Sequence, residues 1–166
     1  SQYPSAGSLP ALALPEFSGF KPLKLAGKEL LPIVQGGMGV GVSAHSLAGA
    51  VARENAMGTI ASIDLRHHHP DLMEQTDRCR DRDAIDRVNL IALDREIQAA
   101  RKLSAGRGLI AVNVMKAVRE HPALVRQTCE SGADVLVMGA GLPIDLPEMV
   151  ADYPKIALVP ILSESR

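Results

Sequence analysis

Short aliphatic runs that close on glycine or a polar residue alternate, along most of this chain, with stretches of helical periodicity. That alternation is the strongest constraint on the fold. A strand can return parallel to its neighbour only through a crossover, and a helix is the usual crossover, so the pattern specifies a parallel α/β architecture. Five strands are expected at Leu31–Gln35, Thr59–Ile63, Leu109–Val114, Val135–Met138 and Ile156–Leu162. A helix is expected over Ala44–Asn55, with Ser43 as its N-cap and Leu47, Ala50 and Val51 as its apolar stripe. A longer one spans Ala84–Leu103, where Ile85, Val88, Ala92, Leu93, Ile97 and Ala100 recur at helical spacing before Gly106 and Gly108. A third runs from Ala117 to Ser131 and stops at Gly132, and a short one covers Ile144–Val150. Asp64–Asp83, rich in His, Arg and Asp, reads as a long polar excursion. Residues 1–30, with several prolines and Lys21, Lys24 and Lys28, read as a lead-in that covers the bottom of a sheet or barrel, ahead of one domain over 31–166.

A chain of 166 residues is long enough to bury a core. Aromatic residues are only 2% and Trp is absent, so that core is built from Val, Ile, Leu, Ala and Met, which suits strands buried on both faces. A net charge of -1 gives no electrostatic basis for a nucleic acid or an anionic membrane as partner. No apolar run approaches the roughly 18 residues of a membrane helix. Cys79 and Cys129 stand far apart without metal-type spacing, and Ser1–Pro15 has no signal-peptide pattern, so a reduced, cytoplasmic protein is expected. Two architectures fit: an eight-fold barrel, which needs roughly 250 residues and would here be incomplete at about its first five strands, or a five-stranded doubly wound sheet.

Ligands of parallel α/β proteins bind at the C-terminal ends of strands, where loops vary over a rigid scaffold. The first strand runs into Gln35-Gly36-Gly37-Met38-Gly39-Val40-Gly41, the third ends at Asn113-Val114-Met115, and the fourth at Gly139-Ala140-Gly141-Leu142-Pro143. Plainer readings exist for each: a tight turn, a turn cap and a connecting loop. Three such endings on one edge point together to a ligand that backbone must approach closely. Gly39-Val40-Gly41-Val42-Ser43-Ala44 also fits G-x-G-x-x-G/A, with Asp64 twenty residues beyond Ala44, the spacing of a dinucleotide fingerprint. Against it, Gly36, Gly37 and Met38 intervene between the strand and its first glycine. His67-His68-His69 reads as a solvated or lid loop, because no acidic or Cys partner stands at metal-ligand spacing. His45 reads as structural, Arg78–Arg82 as a solvated face, and Ser163 and Ser165 as hydrated loop.

Pro32-Ile33-Val34-Gln35-Gly36-Gly37-Met38-Gly39, followed by Leu47-Ala48-Gly49-Ala50-Val51-Ala52, resembles the opening of the nitronate monooxygenases (2-nitropropane dioxygenases) and of the related flavin-dependent enoyl-acyl-carrier-protein reductases. Val112-Asn113-Val114-Met115 is similar to their third-strand Asn motif, and Val137-Met138-Gly139-Ala140-Gly141-Leu142-Pro143 to their fourth-strand G-A-G-x-P. Leu158-Val159-Pro160-Ile161-Leu162-Ser163 matches their fifth strand, so the resemblance covers Pro32–Ser163 in order. It implies a (β/α) TIM barrel with FMN across its mouth. Gly37, Met38 and Gly39 would touch the isoalloxazine, Asn113 would hydrogen-bond the ring, and Gly139, Ala140 and Gly141 would lie beside it. Gln35 and Gly36 belong to the same opening. The family's A-G-G-H motif and its phosphate-holding glycine loops would follow Arg166. No catalytic base is therefore assigned, and this chain alone is expected to be inactive.

The resulting expectation is an FMN-dependent oxidoreductase that oxidises an alkyl nitronate with molecular oxygen, a homo-oligomer being compatible with it. The alternatives are an NAD(P)H-dependent flavin reductase of quinones or enoyl thioesters, a Rossmann-type nucleotide-binding module that takes NAD, and a barrel piece with no catalytic role of its own. No metal is expected.

Overall fold

The computed structural model describes residues 19–141 and 144–162. Leu142, Pro143, Ser163 and Ser165, and the first 18 residues of the lead-in, lie outside the described residues. A small antiparallel hairpin opens the description, β1 (Leu23–Leu25) paired with β2 (Lys28–Leu30). The main sheet contains β3 (Met57–Ala61), β4 (Leu109–Met115), β5 (Val135–Gly139) and β6 (Ala157–Pro160), all parallel and in sequential order. α1 (His45–Arg53) precedes β3, and α2 (Pro70–Thr76), α3 (Arg82–Ser104), α4 (His121–Glu130) and α5 (Leu146–Met149) run between the later strands.

The first expected strand is present only as an isolated parallel bridge, Val34 to Met57, made by the Met57 N–H to the Ile33 carbonyl and the Gln35 N–H to the Met57 carbonyl. Its run of consecutive glycines at 36 and 37 ends the pairing before a ladder can form. It still fixes the order: the first segment lies beside β3, and β3 beside β4. A doubly wound order of 3-2-1-4-5 would instead place the first strand between the second and the fourth.

Strand alternation sorts the side chains into two faces. Ile60, Ile110, Val112, Val114, Leu136 and Met138 point to one face and pack with Ala48 and Ala52 of α1, Ala92, Leu93 and Ile97 of α3, and Leu124 and Val125 of α4. On the opposite face Met57, Leu109, Ala111, Val135 and Val137 pack with Leu30, and with Leu23 and Leu25 of the hairpin. The described helices thus share one face, and the hairpin closes the N-terminal end of the other. α1 reaches the sheet closely enough that a Cβ at Gly58 would stand 1.9 Å from the Ala48 carbonyl oxygen.

Several local expectations are corrected. The α1 face that is buried is Ala48, Gly49 and Ala52, not Leu47, Ala50 and Val51, because close approach to Gly58 selects small residues. Ser43 does not cap α1; Ala44 occupies the cap position, and the Ser43 hydroxyl is spent on Met38. The second strand begins and ends two residues early, at Met57–Ala61, and α4 starts at His121 rather than Ala117. The polar excursion is not irregular throughout: a 3-10 turn at Leu65–His68 leads into α2, started by Pro70 and anchored by buried Leu65 and Leu72.

Candidate functional site

The C-terminal ends of the first segment, β3 and β4 enclose a cavity of about 330 Å³ lined by Gly37, Gly39, Val40, Ile63, Asn113 and Met115, with Val118, Glu120 and Leu124 behind. Gly37 and Asn113 come from distant parts of the chain and are in direct contact. A Cβ at Gly37 would stand 2.8 Å from the Asn113 Cβ and 3.0 Å from its Nδ2, so this position requires glycine for space. The β3–β4 register sets Asn113 opposite Ala61, and Ser62 N–H donates to the Asn113 carbonyl. The Asn113 Oδ1 is buried with no hydrogen-bond partner among the described residues. An unmet amide acceptor in a buried place is costly, and a ligand donor is one way to meet it.

Gln35 stands next to this pair but is already committed. Its side chain receives the Thr59 N–H at 3.0 Å and donates to the Thr59 carbonyl at 3.1 Å, and it also bonds Gly36. It therefore continues the ladder that the backbone abandons. Met38 is 44% exposed above the loop, and Gly36 and Gly39 are exposed. Gly139, Ala140 and Gly141 stand outside the cavity, one strand further along: Gly139 is the register partner of Met115 and its carbonyl accepts from Lys116 N–H. A Cβ at Gly141 would meet the Lys116 side chain at 2.9 Å. Lys116 donates to Asp145, and that bond holds the Asp145 carboxyl below the usual carboxylate range.

The dinucleotide geometry is not present. The helix after a fingerprint loop offers its first N–H groups to a pyrophosphate. Here the first of them, His45 N–H, donates at 2.7 Å to the carboxylate of Glu96, an anion already in that place. Asp64 is turned to its own excursion, accepting from Asn89 at 3.3 Å and from Arg66 at 3.4 Å. With the sequential strand order and the helices on one face, four features depart from that reading.

Sequence reasoning missed Glu96, the buried partner of His45 and His69. The carboxylate is 1% exposed; His45 Nδ1 lies 2.7 Å from Oε2 and His69 Nε2 lies 3.0 Å from Oε1. His69 Nε2 makes no hydrogen bond among the described residues, so this is a close approach and not a hydrogen bond. The histidine run at 67–69 thus does have an acidic partner, brought from α3 by the fold. A signal was available: Glu96 sits within the apolar stripe of α3, four residues from Ala92 and Ala100. Among the described residues no cluster of His, Cys, Asp or Glu is arranged to hold a metal ion. Arg78, Arg80 and Arg82 are exposed. None of the helices described is long and apolar enough to cross a membrane.

No family model matches the chain, and no curated protein does either. Among solved structures, FabK from Thermotoga maritima superposes with a TM-score of 0.57 at 19% sequence identity. The superposition covers 80% of this chain and 34% of FabK, so the chain spans about a third of that neighbour's length. At this identity the likeness establishes a shared α/β fold with its parallel sheet.

Proposed function

We propose that the strand-end site belongs to a flavin-dependent oxidoreductase and that the flavin is FMN. The observation that carries this is the Gly37–Asn113 contact: a backbone stripped of side chain packs on an amide whose buried oxygen lacks a partner among the described residues. A flat heteroaromatic ring needs such a floor, and its pyrimidine edge offers the N–H that a free amide oxygen would accept. The fold likeness to FabK lies on the same side, supporting a flavin-dependent oxidoreductase in general and neither substrate in particular.

In this reading Gly37 and Gly39 give the ring close approach to backbone, Asn113 fixes its orientation, and exposed Met38 covers it from the loop. Gln35 acts indirectly, by holding the first segment to Thr59. Val40, Ile63 and Met115 keep the adjoining space apolar and limit water. Gly139–Gly141 would contact the cofactor only if it extends past Met115. A bound FMN would supply two-electron redox chemistry, with oxygen as the final acceptor in the nitronate reading. The preferred substrate is an alkyl nitronate, on the strength of the motif resemblance, and the second reading is NAD(P)H-dependent reduction of a quinone or enoyl thioester.

One preparation tests both levels. The purified full-length protein should be yellow, with a flavin spectrum, and the released flavin should be FMN by chromatography. Oxygen uptake with a simple alkyl nitronate is then compared with NADPH and NADH oxidation in the presence of a quinone or an enoyl thioester. A colourless protein that takes up no added FMN sinks the flavin assignment. Turnover only with reduced pyridine nucleotide replaces the nitronate reading with the reductase one.

A further inference from the structure

Glu96 is a charged residue of the core that neither the packing nor the proposed ring contacts explain. It occupies a position of α3 flanked at helical spacing by buried Ala92, Leu93 and Ala100. Burying a carboxylate is unfavourable unless strong partners meet it, and such pairs often lose to an apolar residue in stability alone. Its partners come from two consecutive loops of the strand-end face. His45, which opens α1 directly after the glycine loop, supplies both its backbone N–H and its Nδ1 at 2.7 Å. His69, just past the 3-10 turn that follows β3, brings its Nε2 to 3.0 Å. Two nearby arginines are engaged elsewhere, Arg66 with Asp64 and Thr76, and Arg95 with Asp71.

The connection from this carboxylate to the candidate site is short. Ser43 Oγ accepts the Met38 N–H at 2.7 Å and lies 3.1 Å from the Met38 carbonyl, and the Ser43 carbonyl accepts from Ala61 N–H at 3.0 Å. Two residues after Ser43, the chain is fixed by Glu96. The same two loops meet again where His68 Nε2 would stand 3.3 Å from a Cβ at Gly41.

We propose that Glu96 is a positioning residue: its carboxylate clasps the glycine loop to the loop after β3, and so holds Gly37 and Met38 in the conformation that receives the ring. The role in cofactor binding rests on the FMN reading above; the clasp itself does not.

The test compares Glu96→Leu, Glu96→Gln and the parent in the purified full-length protein. Leucine fits the apolar stripe, so Glu96→Leu should melt at or above the parent temperature while losing the clasp. Amide hydrogen exchange should then rise at residues 36–44 and 64–69, and the FMN dissociation constant should increase about 10-fold or more, the scale of a lost charge-assisted hydrogen bond. Glu96→Gln, which retains one acceptor for His45 N–H, should fall between the two. A stable Glu96→Leu with parent-like exchange and parent-like FMN affinity overturns the proposal. If Glu96→Leu fails to fold, Glu96→Gln decides by the same two readouts. If the parent binds no FMN, the flavin reading fails by itself, and exchange alone judges the clasp: unchanged protection in both loops would refute it.

Discussion

The two faces of the main sheet are made by the same strands and behave as different materials. On the helix-covered face Ile60, Ile110, Val112, Val114, Leu136 and Met138 are buried at 1% exposure or less, and Gly58 touches the backbone of α1. Nothing polar interrupts those six positions. The opposite face is closed by the hairpin at its N-terminal end, where Leu30 meets Met57, Leu109 and Val135. Toward the C-terminal end it changes character: the Thr59 Oγ1 and the Asn113 Oδ1 are both buried without partners among the described residues, and Gly37 takes the place of a side chain. Residues two apart on one strand share a face, so a strand can give one parity to stability and the other to a ligand. The difference teaches where to look for function, on the face whose packing leaves polar groups unmet.

The largest effect expected from this contrast is on the helix-covered side. Leu136→Ala should cost about 2–5 kcal/mol of unfolding free energy, read from denaturant curves, because a fully buried leucine leaves a cavity that close packing cannot heal. Below about 1 kcal/mol that face would be no better packed than its opposite. Next, Asn113→Ala should weaken FMN retention by about 1–3 kcal/mol while the apoprotein melts close to the parent, since the amide oxygen it removes has no partner among the described residues. Flavin occupancy after gel filtration, set beside apoprotein melting, separates the two roles; unchanged occupancy with a lower melting temperature makes Asn113 a structural residue. Thr59→Val should be smaller and opposite in sign, leaving apoprotein stability equal or raised by about 1 kcal/mol, because it removes an unsatisfied buried hydroxyl at nearly constant shape. A clear loss of stability would mean that the hydroxyl is bonded after all.

The smallest effect concerns the thiols. Burial against α4's surroundings, with Glu130 adding to it, pushes the Cys129 thiol from 9.0 up to about 11. A thiol reagent at neutral pH should therefore modify half-buried Cys79 and leave Cys129 until the protein unfolds. The linkage has a defined sign. With the folded value above the unfolded one, the stabilisation is complete below about pH 9 and is lost as pH rises through about 11. Equal labelling rates for the two thiols would show that the helix-covered core opens readily, which the packing of Leu136 and its neighbours argues against.

Much of this was legible in the sequence, for one reason: periodicity is a property of the chain. The aliphatic runs at 109–114 and 135–138 and the stripe from Val88 to Ala100 announce strands and a helix wherever they end up in space. Glycine at 36–39 and an amide at 113 are likewise visible as strand endings. What the linear order does not contain is which endings meet. The fold puts Gly37 on Asn113, and the β4–β5 register leaves Gly139 opposite Met115, one strand away. Strand order, which distinguishes this sheet from a doubly wound one, follows from the pairing of the first segment with β3, and a single bridge carries that information. Glu96 is the sharpest case. In the sequence it is a glutamate in an amphipathic helix, and only the packing of α3 against α1 and the excursion turns it into a buried anion shared by His45 and His69. Local pattern determines the elements because it acts through neighbours in the chain; the site depends on desolvation and on contacts between residues 24 to 76 positions apart, and those exist only once the core has closed.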